Sequence, residues 1–210
     1  MIRIFKNNYD YVDFITSKKI IVGEIFCSNF IPSTFFPKDV IDYYFNKKEP
    51  LEKHKQVAEK LWKFGKSQLQ MLAENKISLC FEMHSLKRMI EKGVIHEASS
   101  NFEVSLSIRI KVIDNIIKYL NKIDILMEPT PFVFRLIPPD NLILDVDRNK
   151  SEQTVQGLLI EDISAYKDFK NEFNRLVTKS HNLLSKELLS KELIDAKNYL
   201  QNGLIKKITL

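Results

Sequence analysis

The run Ile20-Ile21-Val22-Gly23-Glu24-Ile25-Phe26 constrains the fold more than any other segment. It is β-branched and apolar but does not alternate with polar residues. A strand of that kind is buried on both faces, inside a sheet covered by helices. A second such run, Ile77 to Phe81, follows an amphipathic stretch of helical period. Between and around them the pattern changes to helical spacing. Tyr9 to Ser17 carries Tyr9, Val12, Phe14 and Ile15, and Pro37 opens a short helix through Val40, Ile41, Tyr44 and Phe45. A longer helix is expected from Pro50 to about Glu74, and another from Ser85 to Lys92, stopped by Gly93. With a first strand over Met1 to Phe5, the first 95 residues read β-α-β-α-α-β-α, the rhythm of parallel strands joined by helical crossovers.

Beyond residue 95, a helix is expected from about Leu106 to Lys122. Strands are expected at Ile125–Met127, Pro131–Ile137, Asn141–Val146 and Gln156–Ile160. Pro138-Pro139-Asp140 forms a hairpin turn between the second and third of these. From Ile163 the period is helical to about Leu200, with Phe169, Phe173, Leu176, Val177, Leu184 and Leu188 on one stripe. The repeat of Leu-Leu-Ser-Lys-Glu at 183–187 and 188–192 is not a heptad, and it admits a helix pair meeting near His181 to Ser185. The expectation is a single α/β domain over 1–210. Its sheet is mixed and mostly parallel, covered by helices, with a C-terminal hairpin and a long terminal helix forming a helical extension over 163–202.

Composition excludes several classes. Hydrophobic residues are 44% and charged residues 28%, values of a globular chain rather than a disordered one. No apolar run is long enough for a membrane span, and no secretory signal is read at the start, so a cytoplasmic protein is expected. The five glycines are too widely spaced for a phosphate-cradling loop. Lys and Arg total 32 against 27 Asp and Glu, and the excess is spread evenly along the chain, with no basic arm. Cys27 and Cys80 close apolar runs and read as core thiols; a redox pair requires adjacent strands.

Ligands of open α/β sheets gather at the carboxyl ends of strands. That rule selects Ser28 and Asn29 after the first apolar run, and His84, Ser85 and Lys87 after the second, as a group able to hold an anion or small molecule. The group has no nucleophile–base–orienter set and argues for binding rather than turnover. On the long amphipathic helix, Lys55, Lys60, Lys63 and Lys66 share the polar half, with Glu59 among them. They read as a solvated face or, alternatively, as a nucleic-acid-binding face. Asp140, Asp145 and Asp147, with Glu161 and Asp162, surround the hairpin and offer a metal-dependent nuclease reading. His54, His96 and His181 have no Cys or second His at ligand spacing, and no cofactor or metal is expected.

The C-terminal half has a recognisable cadence. Pro131-Phe132-Val133-Phe134-Arg135-Leu136 leads through a turn to Asn141-Leu142-Ile143-Leu144-Asp145. Then come Gly157-Leu158-Leu159-Ile160-Glu161-Asp162 and a helix with Phe169 and Phe173. This resembles the effector half of bacterial and archaeal transcription regulators with a phospholipase D-like fold, over residues 1–180; the block Lys76 to Ile95 is similar to their strand–helix–Gly unit. The family's catalytic His-x-Lys is absent, because Gln56, Leu86, Ala98 and Leu183 stand two residues after the four histidines. An amino-terminal helix-turn-helix has no room either, since a strand begins at Ile2. The resemblance therefore implies a non-catalytic regulatory or ligand-sensing domain that works through a protein partner or as a homodimer, without a membrane. A nucleic-acid-acting protein and a small-molecule transferase with its site near Ser28 and His84 stand as alternatives.

Overall fold

A computed structural model describes residues 1–5, 8–46, 52–95, 103–130, 132–145 and 157–208. Seven strands form one mixed sheet: β1 (Ile2–Phe5), β2 (Ile25–Ser28), β3 (Ser78–Glu82), β4 (Asp124–Leu126), β5 (Val133–Ile137), β6 (Asn141–Asp145) and β7 (Gly157–Glu161). Their order across the sheet is β1-β7-β6-β5-β2-β3-β4. The helices are α1 (Asn8–Ser17), α2 (Lys38–Asn46), α3 (Glu52–Ala73), α4 (Met83–Lys92), α5 (Leu106–Tyr119), α6 (Ile163–Leu183) and α7 (Lys186–Gln201).

The sheet is mixed, but it is not mostly parallel. Only β2–β3 and β3–β4 run parallel, whereas β1–β7, β7–β6, β6–β5 and β5–β2 are antiparallel. The reason lies in the connections. A parallel pair needs a crossover of a dozen residues or more, which α2 with α3, and α4 with α5, supply. Between β5 and β6 only Pro138, Pro139 and Asp140 intervene, so that pair must run antiparallel.

Strand β2 is shorter than the apolar run suggested. Ile21 and Val22 are exposed, and Gly23 adopts φ +88°, a left-handed conformation that ends the extended backbone. Its N–H donates to the carbonyl of Lys76, aligning β2 with β3 from Ile25 onward.

Alternation along the strands divides the core. Ile25, Cys27, Cys80, Phe134, Leu136 and Leu142 face α6, whose Tyr166, Phe173 and Leu176 are buried against them. The opposite face carries Leu79 and Phe81 under α4, α5 and α7, and Ile143 and Leu159 under α1 and α3. The terminal helix is therefore two helices on opposite faces. The break falls at Leu184-Ser185, where the Ser185 hydroxyl accepts from the N–H of Leu188 and starts α7. Residues 163–202 are built into the core rather than appended to it. Leu189, Leu193 and Ala196 are wholly buried, and each buried leucine contributes about 1.5–3 kcal/mol. No helix among the described residues is long and apolar enough to cross a membrane.

Candidate functional site

The parallel pairing of β2 with β3 places Ser28 beside Phe81, so the two strand ends meet as the positional rule requires. Ser28, Asn29 and Ser85 are brought together there. Ser85 donates its hydroxyl hydrogen to the carbonyl oxygen of Asn29, and the Ser28 hydroxyl accepts from the N–H of Phe30 at 3.1 Å. Both hydroxyls thus bind backbone: Ser28 within the loop after β2, and Ser85 holding that loop onto the first turn of α4. His84 is exposed on the outer side of that turn, and Lys87 is half-buried one turn further on. His84 and Lys87 share a helix side that turns away from buried Ser85.

Sequence reasoning missed Glu82, the last residue of β3. It stands at the cap position of α4 but does not cap it. Its Oε1 accepts from the Thr130 N–H at 2.6 Å and from the Thr130 hydroxyl at 3.0 Å, tying the chain after β4 to the end of β3. The Ser180 hydroxyl of α6 accepts from the N–H of Met127 at 3.1 Å. Four polar side chains at the carboxyl edge, Ser28, Glu82, Ser85 and Ser180, are engaged by backbone. A single acidic residue after an apolar run carries no signal of a partner 48 residues away.

A pocket of about 200 Å³ opens on the α6 face at the same end of the sheet, since Phe134 pairs with Cys27 one residue before Ser28. It is lined by Phe132, Phe134, Asp168, Phe169, Glu172 and Leu176. Phe132 and Phe134 share a side of the β5 segment by the period of two, while Asp168, Phe169, Glu172 and Leu176 share a side of α6. The Phe169 ring lies 6.2 Å from that of Phe132 and 5.2 Å from that of Phe134, tilted by 52° and 73°. Leu176 is buried as the floor, and Phe132 is 51% exposed at the mouth. Glu172 holds Arg175 through two hydrogen bonds of 2.7 and 2.8 Å, which keeps its carboxyl below the ordinary range. Asp168 is exposed and has no ion-pair partner among the described residues. The phenylalanines were visible in the sequence as spacing; their convergence across two elements was not.

On the other sheet face Arg135 is buried between the rings of Phe26 and Phe64, 4.7 and 5.2 Å from the centroids. Its Nη1 donates to Glu24 at 2.5 Å. The lysines of α3 are engaged within the chain. Lys60 pairs with Asp13 at 2.8 Å, Lys63 with Glu59 at 3.4 Å and Lys55 with Glu52 at 3.9 Å. Lys66 lies 3.8 Å from the Trp62 ring centroid. Each of the four has an intrachain partner, which reduces what that face offers to phosphates.

The acidic residues of the hairpin do not converge. Antiparallel register sets Asp145 opposite Gly157 and Asn141 opposite Glu161. Asp145 is therefore four residues, about 13 Å, from the end that holds Asp140, Glu161 and Asp162. Asp162 accepts from the N–H of Ala165 as the cap of α6. Among the described residues no group of three or more His, Cys, Asp or Glu is placed to hold a metal ion. Asp147 and His96 lie outside the described residues, as does the side chain of His54. His181 Nε2 is 2.7 Å from Asp124 Oδ1, joining α6 to β4.

Cys27 and Cys80 are register partners on β2 and β3, both fully buried as free thiols. Burial, reinforced by Cys27, pushes the Cys80 thiol well up from its ordinary value, which disfavours the reactive thiolate. They pack as core residues. No protein-family model, no curated protein and no solved structure matches the chain.

Proposed function

We propose that the chain is a non-catalytic regulatory domain of phospholipase D-like fold, acting through protein contacts at the Phe132–Phe134–Phe169 pocket. The observation that carries this reading is the division of labour at the carboxyl edge of the sheet. Its serines and Glu82 bind backbone there, whereas the accessible chemistry beside them is an aromatic recess. The family cadence adds support: antiparallel β5 and β6 are followed by β7 led by Gly157, then by α6 carrying Phe169 and Phe173. A role in transcription control, through self-association or a separate partner, follows from that resemblance.

Photo-crosslinking tests the reading. A benzophenone amino acid placed at position 132 should give a discrete adduct in cells, and one at exposed Leu188 should not. An adduct of twice the chain mass would identify self-association, and any other mass a separate protein. Absence of an adduct at 132, together with phosphodiester turnover abolished by changing one residue, would overturn the proposal.

A further inference from the structure

We infer that a cleft between the end of α4, the start of α5 and the C-terminal segment binds a small-molecule carboxylate, a role separate from the protein contacts proposed above. Among the described residues two arginines are buried, Arg135 and Arg109, and they differ in one respect. Arg135 is paired with Glu24, whereas Arg109, only 7% exposed, has no carboxylate within ion-pair distance among the described residues. Its Nε donates to the Val104 carbonyl at 3.2 Å, and its Nη1 to the carbonyls of Ile90 and Glu91 at 3.2 and 3.3 Å. Those neutral acceptors fix the guanidinium plane but supply no counter-charge. Nη2 keeps two N–H donors without an acceptor among the described residues, and it is not sealed from solvent. Buried charges are ordinarily paired, so a guanidinium held in this way selects an anion as its ligand.

The cleft that Arg109 lines has a volume of about 430 Å³, within the roughly 300–1,000 Å³ of sites that enclose a small molecule. Lys92, exposed at its rim, has no ion-pair partner among the described residues and supplies a second cation. The acidic residues of the lining set the charge of the ligand. Glu91 is held by the C-terminal segment, its Oε1 accepting from the N–H of Ile208 at 3.2 Å. Glu103 acts on Arg109 through space but lies beyond ion-pair reach. With Arg88, the described lining carries three cations against these two carboxylates, an excess of one. That balance fits a monoanion and disfavours a phosphate dianion, which both carboxylates would repel. Val94 and Ile205 give the cleft its apolar part, suited to a short hydrocarbon body.

Titration of the full chain, followed by NMR of the Val94 and Ile205 methyls and the Arg109 side-chain N–H, tests this. The probes are 4-methylpentanoate, its neutral amide, inorganic phosphate and an acetylated leucine tripeptide with a free C-terminus. The carboxylate should shift all three signals saturably, and the amide should bind about tenfold or more weaker. Lys92→Gln, at an exposed position, should weaken the carboxylate about threefold, and Glu103→Gln should strengthen it about twofold. Equal binding of carboxylate and amide, or no saturable shift with the carboxylate, would overturn the inference. Tighter binding of phosphate would overturn the carboxylate assignment, and tighter binding of the tripeptide the assignment to a small molecule. A loss of stability in Glu103→Gln with no gain in affinity would overturn it too, by making Glu103 the counter-ion of Arg109.

Discussion

Arg135 on β5 and Glu24, one residue before β2, form an ion pair of 2.5 Å in which both side chains are only 5–6% exposed. The pair sits where the antiparallel and parallel halves of the sheet join, because β5 and β2 are neighbours. The second Glu24 oxygen accepts from the N–H of Ile21 at 3.4 Å, so the carboxylate also holds the turn that precedes β2. Attraction in such a setting is offset by desolvation, but an orphaned partner has no compensation.

Glu24→Gln or Arg135→Met alone should therefore cost about 3–5 kcal/mol, the range for breaking a buried pair from one side. Replacing both residues by apolar ones should recover most of that loss. Urea denaturation of the single and double variants checks both statements. Equal, additive losses in the double variant would show that the two residues are not coupled.

Gly93 and Gly203 share a left-handed backbone, with φ of +71° and +72°, yet they should respond differently to alanine. A methyl group at Gly203 meets nothing within 4 Å, and the cost there is the conformational one, about 1 kcal/mol. At Gly93 the same methyl would stand 2.4 Å from Nη2 of Arg109. That guanidinium cannot simply withdraw: it donates to the carbonyls of Val104, Ile90 and Glu91 at 3.2–3.3 Å and is buried. Displacing it forfeits charge-assisted bonds of about 1.5–3 kcal/mol each. Gly93→Ala should exceed Gly203→Ala by at least about 2 kcal/mol in equilibrium unfolding. In an Arg109→Ala background the two costs should become equal.

Stability should depend on pH through the α6 surface. Hydrogen bonding to Lys179, with Arg175 nearby, holds the Glu128 carboxyl below its ordinary value of 4.5, and Arg175 does the same for Glu172. A depressed folded-state value means that the unfolded chain takes up protons first. The contribution is therefore complete above the unfolded value and is lost as pH falls through the folded one. The denaturation midpoint should drop below about pH 4.5. Glu128→Gln should flatten that fall, and high salt should do likewise, because the pair is exposed and screened. An acid limb unchanged in the variant would assign the effect to other carboxylates.

Local order was legible in the residues. Helical period located α3 and α5 to within a few positions and the start of α6 at Ile163, and Gly93 stopped α4 where expected, its N–H donating to the carbonyl of Met89. These features depend on groups within a turn or two of each other. The convergence of Ser28, Asn29 and Ser85 was also within reach, because carboxyl ends of adjacent parallel strands lie together by construction. The extent of β2 was not legible, since Gly23 in the left-handed region delays the start of the strand to Ile25 without interrupting the apolar run.

What tertiary structure alone decided is which distant residues meet. Glu24 and Arg135 are 111 positions apart, and Glu82 and Thr130 are 48 apart. The pocket joins Phe132 and Phe134 of the β5 segment to Phe169 of α6. Such pairings depend on strand order, which places β5 beside β2 rather than beside β4. Local periodicity states how each segment is buried. Only the order of strands in the assembled sheet states against what.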